Sequence, residues 1–128
     1  IIMNIKSALC GEYAISQNEK KSITVYRVFD NVKGSLREAA EVSGFNYDPN
    51  WTIRQMGTKI CKEFGDGKRA QIGNYFIEVK GSGSIQTYRT YDNTIGALRE
   101  IANKIGFSYD PKWNTQTFGS KLIDAING

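Results

Sequence analysis

Cationic and aromatic side chains recur in matched pairs along this chain: Tyr26-Arg27 answers Tyr88-Arg89, Arg37 answers Arg99, and Lys59 answers Lys121. Arginine presents a planar fork of donors that suits phosphate or carboxylate, lysine a mobile point charge, and tyrosine a flat ring with one polar edge. Duplicated sets of this kind can touch phosphates along a duplex, stack on unpaired bases, or anchor a protein partner. The duller alternative is a set of solvated ion pairs with Asp30, Glu38, Asp48 and their counterparts.

Catalytic chemistry is poorly supplied by comparison. The chain of 128 residues contains no histidine, which removes the usual general base and the commonest zinc ligand. Its two cysteines, Cys10 and Cys61, stand too far apart for a metal or redox motif, and Cys61 is expected as a buried apolar residue of a helix. Asp48 and Asp110 each precede a proline, which is ordinary turn chemistry rather than an acid-base pair. Gly81-Ser82-Gly83 joins two strands and feeds no helix, the wrong setting for a phosphate loop. No catalytic residue, metal or cofactor is expected, so the chain is read as a non-enzyme.

The elements that must position the paired residues are themselves written twice. Residues 11–66 and 73–128 align without a gap at a spacing of about 62, so that Tyr47-Asp48-Pro49-x-Trp51 answers Tyr109-Asp110-Pro111-x-Trp113. Each copy opens with a hairpin. Tyr13–Ser16 and Ser22–Phe29 flank Asn18-Glu19-Lys20-Lys21; Tyr75–Val79 and Ser84–Tyr91 flank the glycine turn, with β-branched and aromatic residues in the arms. Asp30-Asn31 and Asp92-Asn93 then offer caps to a first helix carrying Leu36, Ala39, Ala40 and Ser43, or Leu98, Ile101, Ala102 and Ile105, on one face. Gly44 and Gly106 stop it, with Phe45 or Phe107 folding back over the last turn.

A second helix starts at Thr52 or Asn114, where Gln55 completes a capping box and Trp51 or Trp113 staples onto Met56 or Phe118. Gly57 and Gly119 lie inside it at a cost of about 1 kcal/mol each, so something is expected to press against the backbone there. The expected fold is α+β: two tandem ββαα repeats forming an antiparallel sheet of about four strands, helices on one face, pseudo-twofold symmetric. The whole chain forms one compact domain, with residues 67–72 as linker. Tyr26-Arg27 and Tyr88-Arg89 then lie on strands, one of each pair meeting the helices and the other the open face.

The net charge is +4, but the first copy is close to neutral and the second carries only about one positive charge, so there is no basic stripe. No apolar run is long enough to cross a bilayer, and the opening Ile1-Ile2-Met3-Asn4-Ile5-Lys6 is too short and polar for a signal peptide, with Met3 a plausible native start. A cytoplasmic location is expected. Leu98-Arg99-Glu100-Ile101-Ala102-x-x-Ile105-Gly106-Phe107 resembles the first helix and turn of helix-turn-helix DNA-binding domains, over a quarter of the chain. The likeness departs at Ser108–Trp113, where those domains have a turn of about three or four residues. That resemblance, the mild basicity and the duplicated positions together make nucleic acid the expected partner, with the duplicated Tyr26, Arg27, Arg37, Lys59, Tyr88, Arg89, Arg99 and Lys121 as the expected contacts. The alternative is a protein-interaction module, such as an inhibitor, adaptor or immunity-type factor, using an aromatic sheet face or the Tyr-Asp-Pro-x-Trp loops.

Overall fold

The computed structural model describes residues 6–128; the opening Ile1-Ile2-Met3-Asn4-Ile5, and the start position placed there, lie outside them. The described residues form an α+β fold of ten elements: β1 (Lys6–Cys10), β2 (Tyr13–Gln17), β3 (Ile23–Val28), α1 (Val32–Ser43), α2 (Ile53–Phe64), β4 (Arg69–Ile72), β5 (Tyr75–Val79), β6 (Ile85–Thr90), α3 (Thr94–Ile105) and α4 (Thr115–Asn127). There are thus six strands where about four were expected. The two additional ones are β1 and β4, and β4 occupies part of the segment read above as linker. Both end in two-residue turns, Gly11-Glu12 and Gly73-Asn74, whose glycines have φ of 56°. A glycine there reverses the chain at little steric cost, as tight hairpins require.

The helices start and stop where their capping chemistry says. Asn31 and Asn93 accept from the amides of Gly34 and Gly96. Thr52 and Gln55 form a reciprocal capping box, and Asn114 accepts from Thr117 N. Gly44 and Gly106 take the left-handed conformation, and the amides of Phe45 and Phe107 reach back to the carbonyls of Ala40 and Ala102 at 2.9 and 2.8 Å. Each such cap satisfies backbone groups that the helix itself leaves without partners.

The chain divides into two packed units that do not coincide with the two copies: Val28–Arg89 forms one, and the residues up to Arg27 join Thr90–Gly128 in the other. The discontinuous unit sets β1, β2 and β3 in antiparallel order, with Ile15 opposite Val25 and Tyr13 opposite Arg27. The helices that cover these strands are α3 and α4. Ala8, Tyr13, Ile15 and Val25 pack with Ala97, Leu98, Ile101, Phe118, Leu122 and Ile123 in one apolar cluster. The continuous unit runs in permuted order, α1 and α2 first, then β4, β5 and β6. Its cluster joins Leu36, Ala39, Met56, Ile60 and Cys61 to Ala70, Ile72 and Ile77. The strands of one copy therefore carry the helices of the other.

Each mid-helix glycine has the close neighbour its position implied. A Cβ at Gly57 would lie 2.6 Å from Ile85 Cγ1, and one at Gly119 the same distance from Ile23 Cγ1. Cys61 is fully buried, and its thiol is pushed up to about 12, first by loss of solvent and then by the nearby Asp66. No helix among the described residues is long and apolar enough to cross a membrane.

Candidate interaction sites

Register decides what becomes of the Tyr-Arg pairs. Alternation along β3 sends Val25 and Arg27 to the helix-covered face and Tyr26 to the other. That other face is not open: Tyr26 is fully buried and Ala14 beside it likewise. In the continuous unit Tyr88 is also buried, edge-on to Phe76 at 5.9 Å, with its hydroxyl donating to Glu78 Oε1 at 2.8 Å. Neither ring can serve as a stacking platform, because no base can reach it. Tyr26 and Tyr88 are core residues, which corrects their reading as contact residues.

Arg27 and Arg89 emerge at the strand ends and are exposed. In the discontinuous unit the Arg27 guanidinium lies 6.0 Å from the Tyr13 ring centroid and 5.4 Å from that of Tyr91. Its Nη2 and Nε donate to Glu12 Oε2 at 3.1 and 3.2 Å, and that carboxylate raises the arginine's already high pKa. The Tyr13 hydroxyl donates to Glu100, and burial together with that bond pushes the phenol up to about 12. The continuous unit repeats the frame: Arg89 stands 5.4 Å from the Phe29 ring and 5.9 Å from Tyr75, whose hydroxyl donates to Glu38. A cation held over ring faces is attracted by their negative π-clouds and gains orientation from them.

The lysines of the second helices are also organised by aromatic rings. Lys59 Nζ sits 5.1 Å from the Trp51 centroid, and Lys121 Nζ 5.3 Å from that of Trp113. Arg37 and Arg99 are exposed on α1 and α3. Arg37 borders a narrow crevice of the continuous unit, formed where the Tyr47–Thr52 loop returns across α1; Leu36, Tyr47, Pro49, Trp51, Ile53 and Met56 supply its apolar lining, and Lys33 and Asp48 the rest of its charged rim. Ile53 is 40% exposed, an apolar side chain left at the mouth. Asp48 shapes the loop by accepting from Asn50 N at 2.8 Å, and Asp110 makes the same turn with Lys112 N at 2.9 Å. Each aspartate is exposed.

The copies differ at this crevice. In the discontinuous unit Phe118 stands where the other has Met56, and it stacks on Tyr109 with centroids 4.5 Å apart. Ile95 likewise stands where the other copy has Lys33. Elsewhere on the discontinuous unit lies a trough of ≈ 710 Å³ between the β2–β3 turn and α4, to which Lys6, Lys21 and Lys121 contribute ammonium groups and Glu19 and Asp124 carboxylates. Lys6 is bound to Asp124 at 2.9 Å.

Of the contact residues named from the sequence, Arg27, Arg37, Lys59, Arg89, Arg99 and Lys121 are exposed; their companions Glu12, Tyr13, Phe29, Tyr75 and Tyr91, as well as Lys33 and Ile53, were not among those named. Counting back across the Gly81-Ser82-Gly83 turn would have set Tyr75 opposite Arg89, whereas the Asn18–Lys21 turn misses the observed register of Tyr13 and Arg27 by one residue. The crevice residues had no comparable signal, since they meet only through tertiary packing. The inter-helix segment from Gly106 to Asn114 is also longer than the turn of a helix-turn-helix domain. Comparison with protein-family models, with curated proteins and with solved structures finds no match to this chain.

Proposed function

We propose that this chain is a non-enzymatic interaction protein whose continuous unit receives an acidic, apolar segment of another protein in the crevice between α1 and the Tyr47–Thr52 loop. The carrying observation is the exposed Ile53 beside Tyr47 and Trp51, with Lys33 and Arg37 on the same rim. Tryptophan, tyrosine and arginine around a small apolar depression are the composition of interface hot spots, where burial of one partner side chain supplies most of the affinity. The cations select for carboxylates on that partner and speed its approach. The other copy keeps Arg99 and Trp113 but has Ile95 and Phe118 in place of Lys33 and Met56, so this reading assigns the segment to the continuous unit alone.

Panning a displayed peptide library against the full chain tests the proposal. Enriched peptides should combine an acidic residue with a bulky apolar one, and Arg37→Ala should weaken them about tenfold while Arg99→Ala leaves them unchanged. Peptides indifferent to both Arg37→Ala and Ile53→Ser would refute it.

A second reading, nucleic acid, is favoured by the lysines along the trough of the discontinuous unit. It requires binding of generic duplex or single-stranded DNA at low salt that weakens steeply as salt rises, with Lys21→Gln and Lys121→Gln each lowering the salt slope by about one. Absence of binding at low salt would remove it.

A further inference from the structure

The two arginine-aromatic frames are alike except in what meets the guanidinium. In the discontinuous unit the β1–β2 turn supplies Glu12, whose Oε2 takes both Nη2 and Nε of Arg27. In the continuous unit the β4–β5 turn has the same glycine conformation, φ 56° at Gly73 as at Gly11, but presents Asn74 where the other has Glu12. Asparagine is shorter and uncharged. Arg89 accordingly makes no ion pair among the described residues, although Phe29 and Tyr75 hold it as Tyr91 and Tyr13 hold Arg27. A second difference lies beside the turn. Lys104 Nζ approaches Gly11 in one unit, whereas Val42, 64% exposed, takes that place beside Gly73 in the other.

We infer that Arg89 is a receptor for a carboxylate supplied by a partner protein, with Val42 as an apolar shoulder beside it. Glu12 shows the chemistry the frame accepts: one carboxylate oxygen against the Nε edge of an arginine backed by two rings. Ring stacking prepays part of the ordering cost of a long side chain, which is what makes most exposed ion pairs weak. Removing the internal glutamate and the adjacent ammonium leaves the same frame open to an acidic side chain flanked by an apolar one. A carboxylate is favoured over phosphate because a carboxylate is what the closed copy contains. This site is separate from the crevice, and it does not depend on Arg37.

The test follows the arginine Nε–Hε resonances of the full chain during titration with an acetylated, amidated Leu-Glu-Leu-Glu peptide. The Arg89 signal should move saturably and the Arg27 signal should not; the same peptide with glutamine for glutamate should leave both in place. Asn74→Glu should bring the Arg89 signal towards that of Arg27 without peptide and weaken peptide binding at least about fivefold, and Glu12→Gln should make Arg27 responsive. Both substitutions lie on exposed turns; Asn74→Glu introduces the residue the other copy carries, and Glu12→Gln keeps the side-chain length. Equal responses of Arg27 and Arg89, an equal effect of the glutamine peptide, no response at all, or movement only with a short oligothymidylate would each overturn the inference.

Discussion

Replacing Gly57 by alanine sets two effects of known sign against each other. In an open helix the change would stabilise by up to about 1 kcal/mol, since glycine gives up more backbone freedom than alanine when α2 forms. Here the new methyl would lie 2.6 Å from both Cγ1 and Cδ1 of Ile85 and 2.9 Å from its Cγ2. Swinging only the flexible end aside does not help: isoleucine carries two carbons on Cβ, so any rotamer leaves at least one branch pointing towards the helix. Overpacking of this kind costs about 1–3 kcal/mol. The balance is a destabilisation of about 0–2 kcal/mol for Gly57→Ala, centred near 1. Ile85→Ala removes all three offending carbons, and in that background the same glycine replacement should reverse sign and stabilise by up to about 1 kcal/mol. The coupling between the two positions is therefore about 1–3 kcal/mol. Urea unfolding of the parent, both single variants and the double variant, followed by tryptophan fluorescence, measures it. Gly119 and Ile23, with approaches of 2.6, 2.6 and 3.0 Å, provide an independent repetition in the other unit. Equal stabilisation by Gly57→Ala with and without Ile85 would refute the argument, for it would mean that strand and helix separate without cost.

Two further expectations concern groups removed from water. Cys61 is fully buried, its thiol held near 12 and its Sγ 3.7 Å from the Ile77 carbonyl, so a thiol reagent at neutral pH should modify Cys10 first and Cys61 only on unfolding; equal rates for both would contradict the packing of α2 on β5. Burial raises the Tyr26 phenol from 10.0 to about 12, against hydrogen bonds to Thr24 and Ser16 that lower it. Its neutral form is the one the fold favours, so this contribution is complete below pH 10, where the unfolded chain also keeps the proton, and is lost as pH rises through about 12. Stability measured from pH 9 to 12 should fall, and Tyr26→Phe should flatten that fall; ionisation of all seven tyrosines near 10 without unfolding would show the ring to be solvated.

Much of the local structure was legible because it is decided by residues a few positions apart. Asn31, Thr52, Asn93 and Asn114 cap helices through bonds to the amides three residues on, and Gly44 and Gly106 end α1 and α3 by adopting a backbone conformation that side chains resist. The strands β1 and β4 escaped notice although Gly11-Glu12 and Gly73-Asn74 mark tight hairpins, since each arm is short and mixes polar with apolar residues. The register that sets Arg89 against Tyr75 could also have been counted from the Gly81-Ser82-Gly83 turn.

What the amino-acid order alone determined about this protein is its element types, their ends, the doubled pattern and the close approaches at Gly57 and Gly119. Which helices cover which strands was decided only in three dimensions. The stripe of Leu36, Ala39 and Ala40 is chemically interchangeable with that of Leu98, Ile101 and Ala102, and apolar burial has no directional preference that would send either to its own copy. The structure joins the first to β4 and β5 and the second to β1, β2 and β3. Tertiary packing likewise decides that Tyr26 and Tyr88 are buried and that Arg37 borders a crevice whose lining is spread over residues 33–56, while Glu12 meets Arg27 across the strand pairing where the other copy has Asn74.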